Sequence, residues 1–242
     1  MEGIVRMTDI AIAFDVDSIE QALKLDAALG EGPEFAKVGL QLFTAAGPAA
    51  VRALRDRGRR VFLDLKLHDI PNTVKGAAGE AAKLGAELLT VHALGGGEMI
   101  QAAVEGITRA KGSTRVVAVT LLTSHDPNAL PPGYAQPFEL HRVLAAQLVM
   151  AESAGAYGIV CSAADLPGIR AHHAAPFYAV TPGIRPAAGS KDDQQRVTTV
   201  SDAVRAGAGM LVLGRAITNA TDPAAALAEA RAELQGAVLG RA

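Results

Sequence analysis

The chain is expected to fold as an α/β protein, a closed (β/α)8 TIM barrel. Three observations point there: eight apolar strand-like runs, a helix-patterned stretch after each, and a length of 242 residues, which suits one such barrel. The expected strands are residues 10–16, 35–40, 61–67, 88–93, 116–122, 158–162, 177–181 and 210–214. The stretches between them carry apolar residues at three- and four-residue spacing, the mark of a helix with one buried face. These are residues 19–29, 49–57, 74–84, 99–110, 140–154, 164–171, 194–206 and 223–234. Gly58, Gly85, Gly112, Gly155 and Gly207 each follow a helix and precede a strand, where left-handed C-caps are expected. Strict alternation of this kind implies parallel strands joined by right-handed crossovers. No linker or low-complexity stretch divides the chain, so residues 1–242 are read as a single domain. The longest connections, about 123–138 and 183–193, begin at strand C-termini and are candidate lids.

Composition narrows the function. Half of the residues are hydrophobic, enough for a sizeable core, and a net charge of −2 argues against a general nucleic-acid or membrane-surface binder. The single cysteine, Cys161, cannot form an internal disulfide and lies in an apolar run, so it reads as a buried small residue in a reducing compartment. No apolar run is long enough to span a bilayer, and Met1–Arg6 lacks the apolar stretch of a signal peptide. A cytoplasmic location is expected. The six histidines have no zinc-site spacing, and no motif for a metal or an organic cofactor is found.

The chemistry is concentrated where strands carry charge. In the third strand the odd members Val61, Leu63, Leu65 and Leu67 make an apolar face, while Asp64 and Lys66 share the other face. Asp69 follows just past the strand's end. Buried charges are costly unless paired, so this grouping marks a site, the alternative being an ion pair on a half-solvated strand. Asp15 at the end of strand one and Lys37 in strand two extend it into an array of alternating sign. Carboxylates on both sides favour a charged ammonium on Lys66, hence a proton donor rather than a Schiff-base nucleophile. A second region lies after strands seven and eight: Thr181-Pro182-Gly183-Ile184-Arg185, Gln194, and Gly214-Arg215. In these barrels that position commonly holds a phosphate, with Gly214 permitting close backbone approach and Arg215 adding a charge-assisted contact.

Together these residues resemble the orotidine 5'-phosphate decarboxylase family, in its bacterial form, over nearly the whole chain. The most specific element is Asp64-Leu65-Lys66-Leu67-His68-Asp69-Ile70-Pro71-Asn72-Thr73, supported by Lys37-Val38-Gly39, Thr120-Leu121-Leu122-Thr123-Ser124 and Asp192-Asp193-Gln194. Phe14 and Val200 depart from the family's commoner Leu and Pro, outside any proposed role. The resemblance implies a cofactor-free enzyme that converts OMP to UMP and CO2 in pyrimidine synthesis. It implies that Lys66 donates the proton, with Asp64 and Asp69 fixing its ammonium, and that Asp15 and Lys37 hold the ribose. Thr123 and Ser124 would face the pyrimidine, and Arg185, Gln194, Gly214 and Arg215 would surround the phosphate. It further implies a homodimer in which Asp69, Ile70 and Thr73 reach into the partner's site. The nearest rival is a magnesium-dependent 3-keto-gulonate-6-phosphate decarboxylase or hexulose-phosphate synthase of the same superfamily. Those enzymes use an acidic residue in strand two to hold the metal, where this chain has Lys37. A non-catalytic phosphate-binding barrel is the rival of another class.

Overall fold

A computed structural model describes residues 8–32, 34–122, 139–187 and 198–240. The strands are β1 (Asp9–Ala13), β2 (Phe35–Gly39), β3 (Arg60–Leu67), β4 (Leu88–His92), β5 (Arg115–Val119), β6 (Gly158–Val160), β7 (Tyr178–Arg185), the two-residue β8 (Thr198–Thr199) and β9 (Met210–Leu213). Their order, β6-β5-β4-β3-β2-β1-β9-β7, is closed by β6 pairing with β7, and every pairing is parallel. The expected eight-stranded barrel is therefore present, and β8 only extends β7 at its C-terminal end.

Helices α1 (Ile19–Leu29), α2 (Leu40–Ala46), α3 (Pro48–Asp56), α4 (Pro71–Lys83), α5 (Gly96–Arg109), α6 (Leu140–Ser153), α7 (Leu166–His172), α8 (Val200–Ala206), α9 (Arg215–Thr218) and α10 (Pro223–Leu239) lie between and after the strands. The seventh expected helix starts later than its apolar spacing indicated, because Thr198 and Thr199 are extended and Thr199 caps α8, its hydroxyl accepting from the Asp202 N–H. The short α2 and α9 escaped the periodicity because seven and four residues hold too few turns to show it.

Two apolar layers hold the barrel. The strand residues facing outward pack against the helices, as Ile12, Val38, Leu63, Leu89 and Ala118 do. The inward set, with Phe35, Phe62, Leu88, Val117, Val180 and Met210, fills the lumen. The N-terminal end is sealed by polar groups that satisfy one another. The Arg60 guanidinium lies 3.9 Å above the Phe35 ring and pairs with Glu87 and Asp9, each at 3.1 Å, while the Tyr178 hydroxyl donates to Asp9 at 3.0 Å. The opposite end is left for the site.

The chain departs from the expected pattern in a few places. β1 stops at Ala13, so Asp15 stands two residues beyond the strand, and β7 runs on through Arg185, so residues 183–185 are strand rather than lid. Gly58, Gly85, Gly155 and Gly207 have positive φ as expected, but Gly112 does not. Lys111 takes the left-handed conformation one residue earlier, at φ 54°. A Cβ on Gly112 would stand 2.6 Å from the Ala82 Cβ, so this glycine serves a close approach to the end of α4.

Candidate active site

Two irregularities in the sheet shape the site. Leu63 pairs with Leu89 and Leu67 with Val91, so Asp64, Leu65 and Lys66 stand opposite Thr90 alone, a surplus of two residues in β3. Thr181 pairs with Leu211 and Ile184 with Leu213, so Pro182 and Gly183 stand opposite Val212, a surplus of one in β7. Such bulges re-aim side chains. Gly183 meets its bulge with φ 76°, which glycine adopts freely, whereas Lys66 adopts φ 50°, which costs a residue with a Cβ about 1–2 kcal/mol. The simple two-residue alternation expected of residues 61–67 thus ends at Asp64.

The bulge in β3 gathers the charges. Lys66 Nζ lies 2.8 Å from both carboxylate oxygens of Asp64. Lys37 Nζ donates to Asp15 at 3.0 Å and stands 3.7 Å from Asp64. The four residues form one chain of alternating sign in which Lys37 and Asp64 are largely enclosed and Asp15 is open to solvent. Thr90, fully buried on β4, donates its hydroxyl to Asp64 at 3.0 Å and accepts the Lys66 backbone N–H at 2.8 Å. Gly39 pairs with Asp64 in the sheet, and a Cβ there would stand 2.9 Å from Lys37 Nζ and 3.0 Å from Asp15 Oδ1.

Across the same cavity, of about 330 Å³, lie Gly183 and Arg185 of β7, Gly214, and Arg215 at the start of α9. Arg185 is buried and Arg215 exposed. A Cβ on Gly214 would meet only the Ala13 Cβ, at 3.8 Å, so the protein itself leaves that approach open. The floor between the two ends is apolar, with Phe62, Val160, Val180 and Val212.

Asp15, Lys37, Asp64, Lys66, Arg185, Gly214 and Arg215 are therefore brought together. Asp69, Ile70 and Thr73 are not: they are exposed and absent from the cavity wall, with the Asp69 carboxylate accepting the Ile70 N–H at 2.6 Å. Thr123, Ser124 and Gln194 lie outside the described residues. Sequence reasoning missed Thr90, although a hydroxyl in the run Leu88-Leu89-Thr90-Val91 was a signal. His92, at the end of β4, stacks on His68 with ring centroids 5.3 Å apart. Burial, then His68 and the positive Lys66, hold its pKa below the ordinary histidine value, while its Nδ1 accepts the Leu94 N–H at 3.4 Å. Cys161 is buried and its thiol is pushed far above the usual range by that burial, as an inert structural residue should be. Among the described residues, no group of three or more His, Cys, Asp or Glu side chains is placed to hold a metal ion, and no helix is long and apolar enough to cross a membrane.

A sequence model described as orotidine 5'-phosphate decarboxylase / HUMPS family matches residues 8–230, a span that contains the whole charged array and the basic wall opposite. The chain belongs to this family. Its relatives within the orotidine 5'-phosphate decarboxylase / HUMPS family include proteins named orotidine 5'-phosphate decarboxylase. That of Anaeromyxobacter sp. (strain K) is 51% identical over 90% of this chain and 94% of its own. That of Cutibacterium acnes is 46% identical over 89% and 91%. The crystal structure of orotidine 5'-phosphate decarboxylase from Lactobacillus acidophilus superposes with a TM-score of 0.82 at 36% identity, covering 94% of this chain and 99% of that one.

Proposed function

We propose that the protein is an orotidine 5'-phosphate decarboxylase, a carboxy-lyase that converts OMP to UMP and CO2 in pyrimidine synthesis. The observation that carries this reading is one cavity with the Asp15/Lys37/Asp64/Lys66 array on one wall and Arg185, Gly214 and Arg215 on the other. That is the layout for a phosphorylated nucleotide whose reacting carbon lies far from its phosphate.

Breaking the bond between C6 and the carboxylate releases CO2 and leaves the electron pair on C6, with no adjacent carbonyl to delocalise it. The protein supplies electrostatics. The Lys66 ammonium stands where that charge develops, and its proton passes to C6 to complete UMP. Asp64 holds the ammonium in place. In this reading Lys37 and Asp15 bind the ribose hydroxyls and Arg185 and Arg215 meet the phosphate, and the family resemblance assigns Gln194 to the same phosphate. Thr123 and Ser124 are assigned to the pyrimidine by the family resemblance. Phosphate binding energy, realised far from C6, lowers the barrier remotely.

The active unit in this reading is a homodimer in which Asp69, Ile70 and Thr73 serve the partner's site. Two features support it. Asp69 lies just past the charged strand yet outside its own chain's cavity, and Leu40, Ile70 and Leu94, one after each of the neighbouring strands β2, β3 and β4, are 50–66% exposed. Exposed apolar side chains clustered on one rim mark a contact surface. Lys37 also weighs against the metal-dependent relatives, because an ammonium on β2 repels a divalent cation. The deciding assay follows the fall in absorbance as OMP becomes UMP with EDTA present. Turnover that survives EDTA is expected, and strict dependence on magnesium would refute the assignment.

A further inference from the structure

Among the described residues, three threonines on or beside the barrel strands are fully buried: Thr90, Thr120 and Thr181. Two of them do ordinary structural work. Thr120 donates to the Val160 carbonyl at 2.8 Å and Thr181 to the Met210 carbonyl at 2.9 Å, each serving the neighbouring strand's backbone. Thr90 has a different pair of partners, the Lys66 backbone N–H and the Asp64 carboxylate.

We propose that Thr90 is a positioning residue for the reaction, its single hydroxyl pinning the left-handed Lys66 backbone and the Asp64 carboxylate to β4. This inference rests on the decarboxylase reading above and deepens it. An ionised carboxylate only accepts, so the hydroxyl hydrogen must point at Asp64, leaving an oxygen lone pair for the Lys66 N–H. Both bonds are then fixed in direction. The Lys66 N–H, turned out of the regular ladder by the surplus residues, gains a buried acceptor. The carboxylate is held in the rotation that places both of its oxygens 2.8 Å from Lys66 Nζ. One hydroxyl from a neighbouring strand therefore sets both the root and the tip of the lysine. Without it, φ at Lys66 is free to leave the left-handed region and Asp64 is free to turn.

The test compares Thr90→Val, which keeps the shape and removes the hydroxyl, with Thr90→Ser, which keeps the hydroxyl. For Thr90→Val, kcat with OMP is expected to fall about 10- to 100-fold, the scale of a misplaced catalytic group, while KM and UMP affinity stay near wild type. Thr90→Ser is expected to keep kcat within a few-fold of wild type. The proposal is overturned if Thr90→Val keeps wild-type kcat, if the loss appears only in KM, or if Thr90→Ser is as slow as Thr90→Val. Should Thr90→Val not fold, Thr90→Ala takes its place in the same comparison. Wild-type protein that does not turn over OMP would refute the reaction rather than the positioning role. Crystal structures of wild type and Thr90→Val then decide that role: a shifted Lys66 φ or a rotated Asp64 supports it, and unchanged positions overturn it.

Discussion

At the scale of single residues, the site was legible wherever charge interrupts an apolar strand. Asp15, Lys37, Asp64 and Lys66 were conspicuous because burying charge is costly unless it is paired, and they meet at distances of 2.8–3.7 Å. Lys66→Ala should lower kcat by at least about 100- to 10,000-fold, the usual contribution of a positioned proton donor, and leave UMP binding measurable. A stopped assay at high enzyme concentration checks it, and appreciable residual decarboxylation would refute the proton-donor role. Gly39 was harder to read, since a glycine at a strand's end looks like a turn. Its empty side-chain position is shared by Lys37 and Asp15. Gly39→Ala displaces the ends of flexible side chains rather than backbone, so the melting temperature should hardly move. KM for OMP should rise about tenfold, or about 1.4 kcal/mol; an unchanged KM would show that the Asp15–Lys37 pair does not hold substrate. Thr90 stayed hidden because threonine is a common strand residue whose partners cannot be read without the register.

Among elements, strand and helix type followed from periodicity, but the surplus residues in β3 and β7 did not. A run such as Val61–Leu67 reads as clean alternation, and only the pairing of Leu67 with Val91 reveals that three residues answer to one. Leu65 and Leu67 are accordingly half-buried, while Leu63 is fully enclosed. The same local blindness misplaced one helix cap. After α5 the left-handed position falls on Lys111 rather than Gly112, because Gly112 is needed against Ala82. Lys111→Gly should therefore raise stability by about 1 kcal/mol, read by denaturant unfolding, and a loss would mean that the lysine side chain contributes more than the backbone costs.

For the molecule as a whole, barrel closure followed from counting alternating elements, and the sealed N-terminal end leaves one end for chemistry. Asp69, the carboxylate that the family resemblance adds to the site, is exposed and absent from the wall of its own chain's cavity. Mixing Lys66→Ala and Asp69→Asn proteins tests a shared site. Each alone should be nearly inactive, and an equal, fully exchanged mixture should regain about a quarter of wild-type activity, because half of the dimers then carry one intact site. No recovery would place Asp69's role within its own chain. The two bulges carry a last consequence. Lys37 and Asp64 keep regular places in the β2–β3 ladder, whereas the surplus of β3 lies wholly on its β4 side and that of β7 on its β9 side. The Asp-x-Lys motif therefore depends on a strand that stays in register with one neighbour and slips against the other, and grafting it into a straight strand of another barrel would carry the letters without the geometry.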